Sequence, residues 1–390
     1  MTLKLPIYMD HHATTPVDPR VLDAMLPYFS QEFGNASSID HIYGARAHQA
    51  VEKAREQVAS ILNARPEEII FTSGATESDN IALLGVAEKM AAKGDHIITC
   101  VTEHKAILDT AKHLEKMGKT VTYLPVDRYG LVAPGDVEEA ITDRTILISI
   151  MAANNEIGTI APLKEIGKIA KAHGVLFHTD AAQAVGHIPI DVKEMGIDLL
   201  SLSGHKIYGP KGIGALYIKG ANPKGKVSPV MFGGGHERGI RSGTYNVPGI
   251  VGLGKALEIA QKEMKAENER FRRWTKQMLE AFQENIEGVT LNGHPEKRLA
   301  HNLNVCFPGI ESKALMHLLR NDVAVSVGSA CTTTSVEPSY VLRAIGLNDD
   351  AIFSVIRMGL GRSNSADEVE YLIINIIDSI RKLRRVRGTL

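Results

Sequence analysis

Between residues 60 and 220, short β-branched runs alternate with longer stretches of mixed polarity. The apolar runs predict strands over 68–72, 96–101, 120–126, 145–151, 175–180, 198–203 and 214–219. Helical periodicity surrounds them: Val51, Ala54, Val58, Ile61 and Leu62 share one face of a helix. Strands alternating with helices imply an α/β fold with a mostly parallel seven-stranded sheet, covered on both faces. Ligands on such sheets bind beyond the carboxyl ends of the strands, so the residues that follow each strand matter most.

After about residue 250 the pattern changes. Residues 249–287 form one long, charged helical stretch with Phe271 and Trp274 as packing anchors. Short strands are expected at 303–307 and 324–327. The last helix opens at Ser365-Ala366-Asp367-Glu368, where Ser365 and Glu368 form a capping box. It closes in Arg381, Lys382, Arg384, Arg385 and Arg387, which complement the negative end of the helix dipole; a partner-docking patch is the second reading. No repeat or long linker separates the two parts.

Composition narrows the class. Lys plus Arg number 44 against 45 Asp plus Glu, a net charge of −1, which lacks the basic excess of a nucleic-acid binder. No apolar stretch nears the roughly 20 residues of a membrane span, and no long apolar region follows Met1, so a cytoplasmic protein is expected. Cys100, Cys306 and Cys331 are far apart and odd in number, which disfavours a disulfide framework or a structural zinc site. The run Gly249-Ile-Val-Gly-Leu-Gly-Lys255-Ala256 imitates a phosphate-binding loop, but Ala256 stands where a magnesium-binding hydroxyl belongs.

Three segments carry candidate chemistry. Phe71-Thr72-Ser73-Gly74-Ala75-Thr76-Glu77 is a strand end, a small-residue turn and a helix start, suited to an anion or to a simple helix cap. Asp180 and Lys206 each close a predicted strand among small or apolar residues. A buried acid and a buried amine at neighbouring strand ends suit pyridoxal phosphate (PLP), which needs a lysine for its Schiff base and an acid opposite its pyridine nitrogen. Ser203, His205 and the Gly74 turn are candidates for its phosphate. Cys331 lies in Gly328-Ser329-Ala330-Cys331-Thr332-Thr333-Thr334, a small and polar loop-like segment unlike the apolar surroundings of Cys100. A thiol so placed can reach a substrate and leave it again, as covalent catalysis requires.

Together Thr72-Ser73-Gly74-Ala75-Thr76-Glu77-Ser78, Thr102-Glu103-His104-Lys105, Asn154-Asn155-Glu156-Ile157-Gly158, the run 203–212 from Ser203 to Gly212, Arg241-Ser242-Gly243-Thr244 and Gly328-Ser329-Ala330-Cys331-Thr332 resemble the PLP-dependent cysteine desulfurases of the IscS/NifS type, first group. The resemblance implies a fold of the aspartate-aminotransferase type (fold type I). A large PLP-binding domain would span 16–260, and a small α/β domain, made from 1–15 and 261–390, would carry the cysteine loop.

It also implies roles. Lys206 would bind the cofactor covalently, Asp180 face the pyridine nitrogen, and His104 stack on the ring and move protons. Gln183 and Asn155 would reach the ring oxygen O3′. Ala75, Thr76, Ser203 and His205 would hold the phosphate, with Thr244 from the second subunit of a homodimer. Arg357, Asn155 and Asn35 would bind the substrate carboxylate. Cys331 would take sulfur from L-cysteine as a persulfide, leaving L-alanine, and pass it to an iron–sulfur scaffold or sulfur-relay protein. No permanent metal is implied, and a transient iron–sulfur contact at Cys331 stays open, as do selenocysteine lyase and other fold-type-I enzymes. The Cys331 loop counts against an aminotransferase, and the intact Lys206–Asp180–Cys331 set against an inactive scaffold. Three departures stand out: Ala36 where relatives often carry proline, the bulkier Thr333 and Thr334 after the cysteine, and an end at Leu390 without the longer tail of some relatives.

Overall fold

The structure is a computed structural model that describes residues 3–327 and 338–387. Its strands, in chain order, are β1 (Ile7–Tyr8), β2 (Ile69–Thr72), β3 (His96–Cys100), β4 (Thr120–Leu124), β5 (Thr145–Ser149), β6 (Leu176–Asp180), β7 (Leu199–Ser203), β8 (Gly214–Ile218), β9 (Thr290–Leu291), β10 (Asn302–Cys306), β11 (Val323–Ala324) and β12 (Val355–Gly359).

Seven strands form the main sheet in the order β2-β8-β7-β6-β5-β3-β4, as the periodicity implied. β8 alone runs antiparallel to its neighbours; the pairs among β3, β4, β5, β6 and β7 are parallel. Alternate residues face opposite layers. Ile69, Phe71, Leu200, Leu202, Ala215 and Tyr217 enter one buried cluster, while Ile70, Leu199, Leu216 and Ile218 enter another. Helices Ile42–Leu62 and Leu163–His173 cover the first face, and Ala75–Lys89 and Lys105–Lys116 the second. β4 stops at Leu124, short of the expected 126, where Pro125 has no N–H to continue a ladder.

A separate core gathers Ile7 and Met9 with Phe271, Trp274, Met278, Phe282, Val305, Ile356 and residues of the final helix. Its sheet is β12-β10-β9, and β1 pairs with β11 beside it. Only Val323 and Ala324 form the strand expected over 324–327; Ser326 makes an isolated bridge to Arg357 instead. Helix Val247–Asn285 spans both cores: Ile250, Leu253 and Leu257 pack on the large sheet, and Phe271, Trp274 and Met278 in the second core. The expected division near residue 260 therefore falls inside one continuous helix.

The phosphate-loop imitation lies within this helix, and its glycines serve packing. A Cβ at Gly252 would sit 2.5 Å from Met25 Sδ, and one at Gly254 2.8 Å from Ala54 Cα. The capping box is present: Ser365 N–H donates to Glu368 Oε2 at 3.0 Å, and Glu368 N–H to Ser365 Oγ at 3.2 Å. No helix of the described residues is long and apolar enough to cross a membrane.

Candidate active site

A cavity of about 920 Å³ opens at the carboxyl ends of β6 and β7. Asp180 is the last residue of β6 and pairs in register with Ser201 of β7, so the turn after β7 brings Lys206 to the same rim. Lys206 Nζ donates to the carbonyls of His12 (2.6 Å) and Ala13 (2.9 Å). Asp180 is buried, with Oδ1 accepting the Ala182 N–H at 2.9 Å. Burial pushes its carboxyl above the usual range, opposed by the nearby charges of His104 and Lys206.

The anion cradle follows from the turn after β2. Gly74 has φ 152°, a conformation that side chains disfavour, and as N-cap of helix Ala75–Lys89 it supplies no side-chain cap. The first-turn amides at Ala75 and Thr76 are left for a ligand, and both residues line the cavity. Glu77 fixes the turn: its Oε2 accepts the Ser73 N–H at 2.7 Å, and its Oε1 accepts from Arg241 Nε at 2.7 Å. Ser203 Oγ lies 3.5 Å from where a Cβ on Gly74 would sit. His205, bonded through Nδ1 to Thr14 Oγ1 at 3.1 Å, is pushed down to about 4 by burial and by the Lys206 and Lys211 charges. It is therefore neutral at neutral pH.

On the opposite wall, His104 caps helix Lys105–Lys116, its Nδ1 accepting the Ala106 N–H at 3.2 Å. Arg357, on β12, is 1% exposed. It donates from Nη1 to Asn155 O (3.0 Å) and from Nη2 to Asp10 Oδ1 (2.8 Å). Its Nε and Asn155 Oδ1 are buried without a hydrogen-bond partner among the described residues. The Arg357 Nε–H is thus free to donate to an acceptor such as a carboxylate, and Asn155 Oδ1 to accept from an N–H. With the open amide cradle and the Asp180–Lys206 pair, they fit PLP and an amino-acid substrate.

Of the candidate residues, Ala75, Thr76, His104, Asn155, Asp180, Gln183, Ser203, His205, Lys206 and Arg357 all line this one cavity. Asn35 does not: it is exposed, and its Oδ1 accepts the Ser37 N–H at 3.0 Å. Thr244 is likewise exposed and away from the cavity of its own chain. Cys331 lies outside the described residues, but both flanks of its segment are fixed at the cavity. Ser326 exchanges backbone hydrogen bonds with Arg357 at 3.1 and 2.7 Å. Beyond the segment, Ser339 Oγ donates to Glu156 Oε2 at 2.5 Å and Tyr340 Oη to Glu103 O at 2.7 Å.

The comparisons agree with this geometry. Residues 7–372 match the class-V aminotransferase family model. The chain is 52% identical over 384 residues to cysteine desulfurase IscS of Anaeromyxobacter dehalogenans, covering 98% of this chain and 95% of that protein. It is 54% identical over 383 residues to the mitosomal cysteine desulfurase of Encephalitozoon cuniculi, covering 97% and 88%. This chain belongs to the PLP-dependent cysteine desulfurases of the IscS/NifS type. Among solved structures, a NifS-like protein superposes with a TM-score of 0.90 at 38% identity, covering 97% of this chain and 100% of that one. SspA in complex with cysteine gives 0.81 at 41% identity, covering 91% and 98%. The fold-type-I architecture and the PLP cofactor follow for this desulfurase.

Sequence reasoning missed Asp10, His12 and Glu156 as parts of the site. The first two lie near the chain start, far in sequence from Arg357, Gln183 and Asn302, the side chains that theirs bond. A polar Asp-His-His run beside a predicted small domain was the one available signal.

Proposed function

We propose that Cys331 receives the sulfur of L-cysteine as a persulfide, releasing L-alanine, and then passes it to an acceptor such as an iron–sulfur scaffold or a sulfur-relay protein. The atoms balance: the substrate C–S bond breaks, a Cys331 S–S bond forms, and the Cys331 proton ends on the alanine methyl group. The observation that carries this reading is the convergence on one cavity of Lys206, Asp180 and both anchored flanks of segment 328–337.

Bound PLP supplies an electron sink that labilises bonds to the substrate Cα. Asp180 is set to keep a proton at the pyridine nitrogen, where its buried carboxyl would be opposite a cation. Lys206, held by carbonyl oxygens, is the amine for cofactor attachment and afterwards for moving the Cα proton. Ala75, Thr76, Ser203 and the neutral His205 would hold the phosphate, and the His104 ring would pack against the cofactor. Gln183 and Asn155 serve the ring oxygen. Arg357 takes the substrate carboxylate, assisted by Asn155 and, if it approaches in the loaded enzyme, Asn35.

We read the active form as a homodimer in which Thr244 completes the partner's phosphate site. Phe29 (61% exposed), Phe33 (63%), Ile39 (62%) and Phe232 (81%) support it, being large apolar side chains that a second copy would cover. The division into 16–260 and 1–15 plus 261–390 is supported by the separate second core. A cytoplasmic setting suits the free buried thiols of Cys100 and Cys306. The test is alanine and persulfide formation from L-cysteine by the PLP-loaded enzyme, with the persulfide mapped by peptide mass. Turnover without label on the Cys331 peptide would refute the assignment.

A further inference from the structure

We infer that His12 is a positioning residue that fixes the side-chain amide of Gln183 so that it offers an N–H, and not its carbonyl, to the cofactor ring oxygen. The inference rests on the PLP reading of the cavity and concerns how this chain tunes it.

The polarity can be followed atom by atom from a donor of fixed sense. The Arg298 guanidinium only donates, and its Nη2 lies 2.8 Å from Asn302 Oδ1. Asn302 therefore turns its amide nitrogen the other way, donating to Glu156 O at 3.1 Å and to His12 Nε2 at 3.1 Å. A nitrogen that accepts carries a lone pair, so the proton of a neutral His12 sits on Nδ1. His12 is fully buried, and burial with the Arg357 and Lys206 charges holds it well below the usual histidine range, which keeps it neutral.

Nδ1–H then donates to Gln183 Oε1 at 2.9 Å. The Gln183 amide returns one N–H to the His12 carbonyl at 3.0 Å. One Gln183 N–H remains, on a side chain that lines the cavity. The same His12 carbonyl accepts from Lys206 Nζ, so a single residue anchors both groups expected to meet the ring oxygen and its neighbouring imine carbon. The His12 ring is held in place by stacking on His301 at a centroid distance of 4.4 Å.

An N–H donated to the ring oxygen stabilises its anionic form. Its loss should raise the midpoint of the pH titration of the bound cofactor's visible absorbance by about one pH unit and weaken PLP binding about tenfold. The experiment compares PLP-loaded wild type, His12→Leu and His12→Asn by absorbance titration and by equilibrium dialysis of PLP. His12→Leu should show both changes. His12→Asn, whose amide can return an N–H near the position of Nδ1, should stay close to wild type. Histidine-selective ¹⁵N spectra of the unsubstituted enzyme add a readout independent of any variant's folding: His12 should be protonated at Nδ1 and bare at Nε2. A wild-type midpoint in His12→Leu, equal shifts in the Leu and Asn variants, or a proton on Nε2 would overturn the inference. A wild type that takes up no PLP would instead remove the cofactor reading beneath it.

Discussion

Asp10 and Arg357 form a salt bridge across the cavity wall, Oδ1 to Nη2 at 2.8 Å, while the Arg357 Nε beside it has no partner among the described residues. The arginine is held in place from one side and left able to donate from the other. A guanidinium so fixed presents a planar fork to a carboxylate, which a lysine cannot reproduce.

Arg357→Lys should therefore raise the KM for L-cysteine by about 10- to 100-fold, the cost of one or two charge-assisted hydrogen bonds. PLP affinity should stay near wild type, since no expected phosphate or ring contact is altered. Steady-state alanine production and PLP dialysis measure the two separately. A lowered kcat with unchanged KM would contradict the assignment.

Glu77 ties the cradle to the loop that carries Thr244, through Ser73 N–H on one oxygen and Arg241 on the other. Glu77→Ala should free the turn and weaken PLP binding about tenfold, a charge-assisted bond discounted for partial exposure. Equilibrium dialysis of PLP is the check, and unchanged affinity would mean the turn holds itself.

His178 lies two residues before Asp180, fully buried, with Nδ1 and Nε2 bonded to Ser149 (2.9 Å) and Ser201 (3.0 Å). Burial pushes it down to about 3. Asp79 faces it at 3.7 Å, and burial, with the neighbouring Asp180 charge, holds that carboxyl well above its usual range. The unfolded histidine takes a proton near pH 6.5 and the folded one only near 3, so its burial costs stability progressively as pH falls between those values. The penalty reaches about 3 kcal/mol at pH 4. Relative to wild type, His178→Gln should thus gain about 3 kcal/mol between pH 7 and pH 4 in urea denaturation. A pH-independent difference would contradict the neutral burial of His178.

Much of the large sheet was legible because most of its strands are short buried runs rich in apolar residues and punctuated by turns, with only the edge strand β4 largely open to solvent. The same property exposed Asp180, a charged residue that closes a buried strand, and Lys206, which follows β7 by one short turn. The ends were less legible. The strand expected over 324–327 shortened to two paired residues because Ser326 bonds to the Arg357 backbone, a contact set by tertiary approach. Asp10 and His12 could not be assigned from local pattern, since their partners Arg357, Gln183 and Asn302 lie more than 170 residues away. Asn35 was assigned by resemblance alone, and no contact of its own brings it to the cavity of a single chain.

Asp180→Asn removes the charge opposite the pyridine nitrogen while keeping the side-chain shape and the bond from the Ala182 N–H. PLP should remain bound, yet kcat should fall at least about 100-fold, because an electron sink without its proton is weak. Full activity would show that another group protonates the ring.

The most direct test of the account is Cys331→Ser, followed by peptide mass mapping after incubation with L-cysteine. Neither other thiol can substitute: Cys100 is buried and pushed up to about 12, and Cys306 is buried and raised by the same cause, so neither ionises near neutral pH. The account predicts that the variant binds cysteine and changes its absorbance spectrum, forms no persulfide and releases almost no alanine. Continued alanine release, with the persulfide mapped to Cys100 or Cys306, would contradict it.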